Sequence, residues 1–264
     1  MQSDLARANL GVDGTGVSIG ILSDSYNQLG GEATDIASGD LPNDVSVLDD
    51  SAVGQNIDEG RAMAQLIHDI VPGADLSFHT AFNGQADFAQ GILDLRAAGA
   101  DVIVDDIGYL TDPFFQDGVI AQAVDQVVAD GAVYFSSAGN SADMSYEAPY
   151  VDSGFSTADF EANGVTGFPN GATNIHFFDP VGGFADQEFN MPAGTVIALS
   201  LQWDQPFLSA GGAGSASDID VFLIDQASQT VIASAVNANV GGDAVEFLVY
   251  QNTTGVNQIL NMVV

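Results

Sequence analysis

Gly16-Val17-Ser18-Ile19-Gly20-Ile21-Leu22-Ser23-Asp24-Ser25 is the stretch on which the fold turns. A short apolar run follows Gly14-Thr15-Gly16 and ends in three polar residues. Such a run, too short for a helix and bounded by turn residues, predicts a buried strand. The chain after it alternates between two periodicities. Ala62, Met63, Leu66, Ile67 and Ile70 fall at helical spacing and Pro72-Gly73 closes them. Leu76 to Ala81 alternates as a strand, and Phe88, Ile92 and Leu95 form a helical stripe ended by Gly99. Asp101 to Ile107, Val119 to Val127, and Ala132 to Ser136 repeat the pattern as strand, helix and strand. Residues between the first strand and Gln55 read as a polar loop. Strands separated by helices predict βαβ units and a parallel sheet. Ligand chemistry in such sheets gathers at the carboxyl ends of strands. Three polar stretches stand there: Ser23-Asp24-Ser25, Asp105-Asp106-Ile107-Gly108 and Ser137-Ala138-Gly139-Asn140.

The second half reads differently. After about Asp143 helical periodicity stops. Val196 to Trp203, Ile219 to Ile224, Thr230 to Ser234 and Val245 to Tyr250 are strand-like, and Asn261 to Val264 ends the sequence in strand character. Gly-rich turns separate them, which predicts an antiparallel β-sandwich. The expected organisation is therefore a parallel-sheet α/β domain over 1–150, a linker and irregular segment over 151–184, and a sandwich over 185–264.

Composition narrows the partners. Asp plus Glu number 36 against 3 Lys plus Arg, a net charge of −33, and Lys is absent. Such a surface repels nucleic acid and anionic membranes. It suits solubility in high salt, where self-repulsion is screened, and it offers oxygen ligands for a hard cation such as Ca²⁺. Asp218 and Asp220 share one side of a strand start and are candidates to hold structural Ca²⁺, with a solvated strand start as the plainer reading. No Cys is present, so disulfides and thiolate chemistry are excluded. No run of about 18 apolar residues predicts a membrane span. Met1 leads into Gln2-Ser3-Asp4, with neither a basic start nor an apolar run, so secretion would need another signal or an upstream N-terminus.

Several motifs together resemble one family. The first strand with Asp24, the helix start Asp58-Glu59-Gly60-Arg61-Ala62-Met63, the following Ile67-His68-Asp69-Ile70-Val71-Pro72-Gly73-Ala74, and Ser136-Ser137-Ala138-Gly139-Asn140 resemble, in order and spacing, the subtilisin-like serine peptidases. The resemblance covers about residues 5 to 145. It implies an incomplete subtilisin-like domain that cleaves peptide bonds of a protein or peptide substrate. Asp24 would be the orienting carboxylate, Asn140 the oxyanion donor, and Asp105, Asp106 and Gly108 part of the substrate-binding wall. The chemistry needs no cofactor. Two departures stand out. Glu59 occupies the place where the family has His, and a carboxylate there serves as base only if burial or a neighbouring acid raises its pKa. Asp24 and Glu59 would then share a proton. Secondly, no Gly-Thr-Ser segment for the family's nucleophile is found, so a Ser-bearing helix is expected beyond Val264. Arg61 is a candidate counter-charge for Asp105 and Asp106. The segments around Met191, Trp203 and Ser217 to Leu223 are similar to sandwich domains attached to secreted bacterial peptidases, with Trp203 expected in the sandwich core.

Three functions follow as expectations. The first is an endopeptidase part, extracellular or on the cell surface of a bacterium, with a saline setting. The second is a catalytically dead homologue acting as a binding module. The third is an acid peptidase like the sedolisins, although Met63 and Asn140 depart from that pattern. No His pair at ligand spacing supports a metal hydrolase, and no metal ligands are assigned. No Gly-x-Gly-x-x-Gly supports a dinucleotide site.

Overall fold

A computed structural model describes residues 2–54, 56–141, 144–179 and 181–264. The chain divides into two compact units. The first comprises Met1–Asp112 and Asp117–Asp143, the second Pro113–Gln116 and Met144–Val264.

The first unit runs α1 (Ser3–Leu10), β1 (Ser18–Ser23), α2 (Glu32–Ser38), β2 (Ser46–Asp49), α3 (Glu59–Ile70), β3 (Asp75–Thr80), α4 (Gln85–Ala97), β4 (Val102–Asp105), α5 (Val119–Ala129) and β5 (Val133–Ser136). Its five strands are parallel and ordered β2-β3-β1-β4-β5. The two sides of β1 feed two cores. Ile19 and Ile21 pack with Leu76, Phe78 and Ala64 of α3, and Leu22 and Ile103 pack with Phe88, Ile92 and Leu95 of α4 and Val127 of α5. Each fully buried Leu, Ile or Phe side chain here contributes roughly 1.5–3 kcal/mol. Gly20 sets the spacing of β1 against α4, since a Cβ there would meet Leu95 at 3.1 Å. The chain visits β3 on one side of β1 and then β4 on the other, so the order of strands switches at β1 and β4. A crevice at the carboxyl ends of strands forms at such a switch point.

The α/β reading of the first half stands, with local differences: α1, which buries no residue, was not expected. The segment expected as a polar loop before Gln55 contains α2 and β2. Both are short, no residue of α2 is buried, and β2 is an edge strand with three of its four residues exposed. An element that buries almost nothing leaves no hydrophobic period to detect.

The second unit contains α6 (Thr157–Ala162), β6 (Gln187–Met191), β7 (Val196–Gln202), β8 (Val221–Asp225), β9 (Thr230–Ala235), β10 (Val245–Gln251) and β11 (Gln258–Val263). Antiparallel strands form a four-stranded sheet, β6-β11-β8-β9, and a β10-β7 pair. One core joins Met191, Val221, Leu223, Leu248 and Leu260, with Ile197, Leu199 and Leu201 of β7 packed on it. A second core joins Phe222, Ile224 and Val263 to Val165, Ile175 and Ala185. All five residues of β8 are buried, so its run is apolar rather than alternating. Residues 151–184, expected as a linker, supply Val165 and Ile175 to this second core. Trp203 is half-buried and donates its indole N–H to Ser215 Oγ at 3.0 Å, so it ties a loop rather than filling the sandwich core.

Candidate functional site

Asp24 follows β1 and is buried. Its carboxylate accepts the backbone N–H groups of Ser25 at 2.5 Å, Ile57 at 2.6 Å, Glu59 at 2.8 Å and Gly60 at 3.4 Å. The first N–H groups of a helix have no partner within it, and the N-terminal dipole favours an anion. Asp24 therefore seats the start of α3 on the end of β1. Gly60 permits the approach, because a Cβ there would sit 2.8 Å from the Ser25 carbonyl and collide with the Phe78 ring. Asp24 binds the main chain of Glu59, and the Glu59 side chain is exposed.

Asp58, just before α3, has φ 56° and is buried. It accepts Ser25 Oγ at 2.8 Å, Gln28 N at 2.9 Å, Leu29 N at 3.0 Å and Arg61 Nη1 at 2.5 Å. Burial alone would raise its pKa, but the bonds from Ser25, Leu29, Arg61 and Gln28 outweigh burial and hold it below the ordinary value. Arg61 also bonds Asp35 at 2.9 Å and the Tyr26 carbonyl at 2.8 Å. The expectation that Arg61 balances Asp105 and Asp106 is thus corrected: its charge goes to Asp35 and Asp58.

Asp105 ends β4, is buried, and accepts Ser136 Oγ at 2.9 Å. Burial pushes its pKa up. Asp106 is the more perturbed. Burial first, then the charges of Glu59, Asp24 and Asp105, push it up to about 6, with Ser23 partly offsetting the rise. Asp106 Oδ1 is buried without a hydrogen-bond partner, and so is Ser23 Oγ. An acceptor buried without a donor gains from protonation. The structure thus gathers Asp24, Glu59, Asp105 and Asp106 into one electrostatic group at the switch-point end of β1 and β4. Gly108 and Asn140 lie on exposed loops after β4 and β5. The sequence marks Ser23 only as part of the polar stretch Ser23-Asp24-Ser25, and its place beside Asp106 comes from the fold.

The three His residues serve elsewhere. His68 is half-buried in α3, with Nδ1 unpartnered. His79 is buried in β3, its Nδ1 is 2.7 Å from the Thr80 carbonyl, and a Cβ on Gly91 would meet that nitrogen at 2.6 Å. His176 is buried in the second unit and accepts Val151 N at 3.2 Å.

In the second unit Asp218 accepts Asn239 N at 2.9 Å and Asp220 accepts Asn170 Nδ2 at 2.8 Å. Glu246 is fully buried and bonded by Asn237 N at 2.7 Å and Asn237 Nδ2 at 2.8 Å, while burial pushes its pKa up. Among the described residues, no group of three or more His, Cys, Asp or Glu is placed to hold a metal ion. Among them, also, no helix is long and apolar enough to cross a membrane.

Fold and site define an α/β protein with an acidic group at the switch point of a parallel sheet, followed by a β-sandwich. No family model matches the sequence, and no curated protein matches it.

Proposed function

We propose that the first unit is the acid–base part of a subtilisin-like peptidase that acts on protein or peptide substrates outside the cell. The observation that carries this reading is Asp106, a carboxylate pushed up to about 6 beside Glu59, Asp24 and Asp105 at the mouth of the sheet. A group with that proton affinity accepts or donates a proton near neutral pH, which acyl transfer requires of its base. In this reading Asp106 takes the place of the family's His, the charge of Glu59 helps raise its proton affinity, and Asn140 supplies the oxyanion donor. Asp24 acts as a positioning residue through the helix that carries Glu59. The reading leaves the nucleophilic hydroxyl unassigned among the described residues.

The test is labelling of the natural gene product by a fluorophosphonate, with peptide hydrolysis measured from pH 4 to 9. Asp106→Asn should lower kcat/KM by about 10²–10⁴-fold, the usual worth of a general acid–base group, and abolish the acid limb of the pH profile near 6. Unchanged kcat/KM in both Asp106→Asn and Glu59→Gln would end the reading. A second reading is a catalytically dead binding module. It is favoured by the Asp24 carboxylate, which is taken up by four main-chain N–H groups. That module would show neither labelling nor hydrolysis while folding normally.

A further inference from the structure

The second unit takes up the chain again at Met144, and residues 144–150 form no helix or strand and are all exposed. What holds them is His176, 6% exposed, at the centre of an aromatic group. Its ring centroid lies 5.5 Å from that of Tyr150, 6.2 Å from Tyr146 and 4.8 Å from Phe178. Tyr146 and Phe178 are themselves 5.2 Å apart.

The hydrogen bonds fix the state of the ring. Val151 N–H donates to Nδ1 at 3.2 Å. A neutral imidazole has one N–H and one acceptor nitrogen, so the hydrogen belongs on Nε2. Nε2 is 3.3 Å from Tyr146 Oη, and the Tyr146 hydroxyl donates to the Phe178 carbonyl at 3.5 Å. The three bonds thus run in one direction, from Val151 through the imidazole and the hydroxyl to Phe178. Among the described residues, no other hydrogen bond is made by residues 144–150. The chain beyond them is held differently: Phe177 N donates to the Val151 carbonyl at 2.8 Å and Ser153 N to the Ile175 carbonyl at 2.9 Å.

Nothing around the ring answers a positive charge. Asp152 accepts Gly154 N and Asn174 Nδ2, both at 2.8 Å, and Asp179 accepts Val181 N at 3.0 Å and Gly182 N at 2.8 Å. Glu147 is exposed, and Val264 accepts the main-chain N–H of His176 at 2.7 Å. Among the described residues, no carboxylate forms an ion pair with His176. Burial lowers its pKa from the ordinary 6.5. A main-chain contact favours the charged ring only where the main chain accepts, and here it donates.

We infer that His176 is an acid-released latch on the segment by which the chain enters the second unit. Neutral, it holds Tyr146 to Val151 against His176 to Phe178. Protonated, it carries a hydrogen on both nitrogens, so Nδ1–H faces Val151 N–H and neither has an acceptor. The buried cation regains water when residues 146–150 lift away. Val151 keeps its carbonyl bond to Phe177, so release ends there. Opening returns His176 to its ordinary value, which is the higher one. The open form therefore binds the proton more tightly, and falling pH favours it. The inference concerns the second unit alone and does not depend on peptidase activity in the first.

The experiment follows amide hydrogen exchange of the full chain by NMR at pH 7.5, 6.5, 5.5 and 5.0, as protection factors corrected for intrinsic rates. Protection of the Val151 amide should hold above pH 7 and fall by up to about tenfold per pH unit from 6.5 down to the His176 midpoint, as uptake of one proton requires. The amides of Ser153 and Phe177, and of Leu223 in the core, should not follow it. His176→Asn offers an amide oxygen near the place of Nδ1 and takes up no proton, so its Val151 protection should be flat. Imidazole nitrogen shifts of the wild type should place the hydrogen on Nε2 at pH 7.5 and the midpoint below 6.5. If His176→Asn does not fold, the wild-type measurements decide alone. Flat Val151 protection from pH 7.5 to 5.0, a hydrogen on Nδ1, or a midpoint at or above 6.5 would each overturn the inference. So would an equal fall in His176→Asn or at Leu223.

Discussion

Replacing Asp106 by Asn should stabilise the first unit above pH 6 and leave it unchanged near pH 4. The folded protein holds this carboxyl at about 6, against an ordinary value of 3.8. Because the folded pKa is the higher one, the folded state binds the proton more tightly than the unfolded chain does. Its contribution to stability is therefore complete below the ordinary value and is lost as pH rises through about 6. The gap between the two values corresponds to roughly 3 kcal/mol. Water reaches Asp106, so screening reduces that to about 1.5 kcal/mol. Asn keeps the shape, cannot ionise, and escapes the loss. Urea unfolding followed by far-ultraviolet circular dichroism at pH 4.0, 5.0, 6.0 and 7.5 measures the difference between variant and wild type. Dichroism follows the helices, which are nearly all in the first unit, while the single Trp203 reports the second unit separately. The difference should grow from near zero to about 1.5 kcal/mol across that range. A difference that is the same at every pH, or absent throughout, would refute the assignment of a buried, repelled carboxylate. A variant that is stabler yet less active would be the usual signature of a functional group held against its own solvation.

Two further outcomes can be checked on the same protein. Asp24→Ala strips four N–H groups of their acceptor and should cost about 2 kcal/mol in the first unit, with α3 exchanging its amides first in hydrogen-exchange experiments; a cost under about 0.5 kcal/mol would show that the cap is dispensable. Raising NaCl from 0.05 to 2 M should raise the melting temperature steadily, because a net charge of −33 repels itself and salt screens it; a flat response would count against that repulsion.

The buried strands were legible because burial leaves a period. β1, β3 and β4, and helices α3, α4 and α5, carry apolar runs or stripes, the exposed β5 carries apolar residues of its own, and their order announced a parallel sheet. α1, α2 and β2 bury nothing that would create a pattern. In the second half β8 was legible from its apolar run. The covering role of residues 151–184 was not, because Val165 and Ile175 are isolated apolar residues in a polar stretch. The site was half legible. Polar residues at strand ends marked Asp24, Asp105 and Asp106. The use of Asp24 was hidden, since its partners lie 33 to 36 positions away in sequence. The raised pKa of Asp106 was hidden too, because only the fold decides which acid Arg61 reaches.

The placement of the three cations explains why the site is left acidic. Arg7 donates to the carbonyls of Asp69 and Ile70 at 2.8 and 2.7 Å, at the C-terminal end of α3. Arg96 donates to the carbonyls of Ala100 at 2.8 Å and Asp130 at 2.5 Å, tying together the exits of α4 and α5. Arg61 binds Asp35, Asp58 and the Tyr26 carbonyl on the loop beside α3. Cations at helix C-termini satisfy the last carbonyls and complement the dipole. Every Arg is thus committed to holding helices and loops in place, and none answers the acids at the switch point. With 36 acids and no other Lys or Arg, the protein leaves Asp106 only two ways to lose its charge penalty: a proton, or a ligand that brings a donor. Scarcity of basic residues therefore leaves the acids at the switch point without an answering charge from the protein itself.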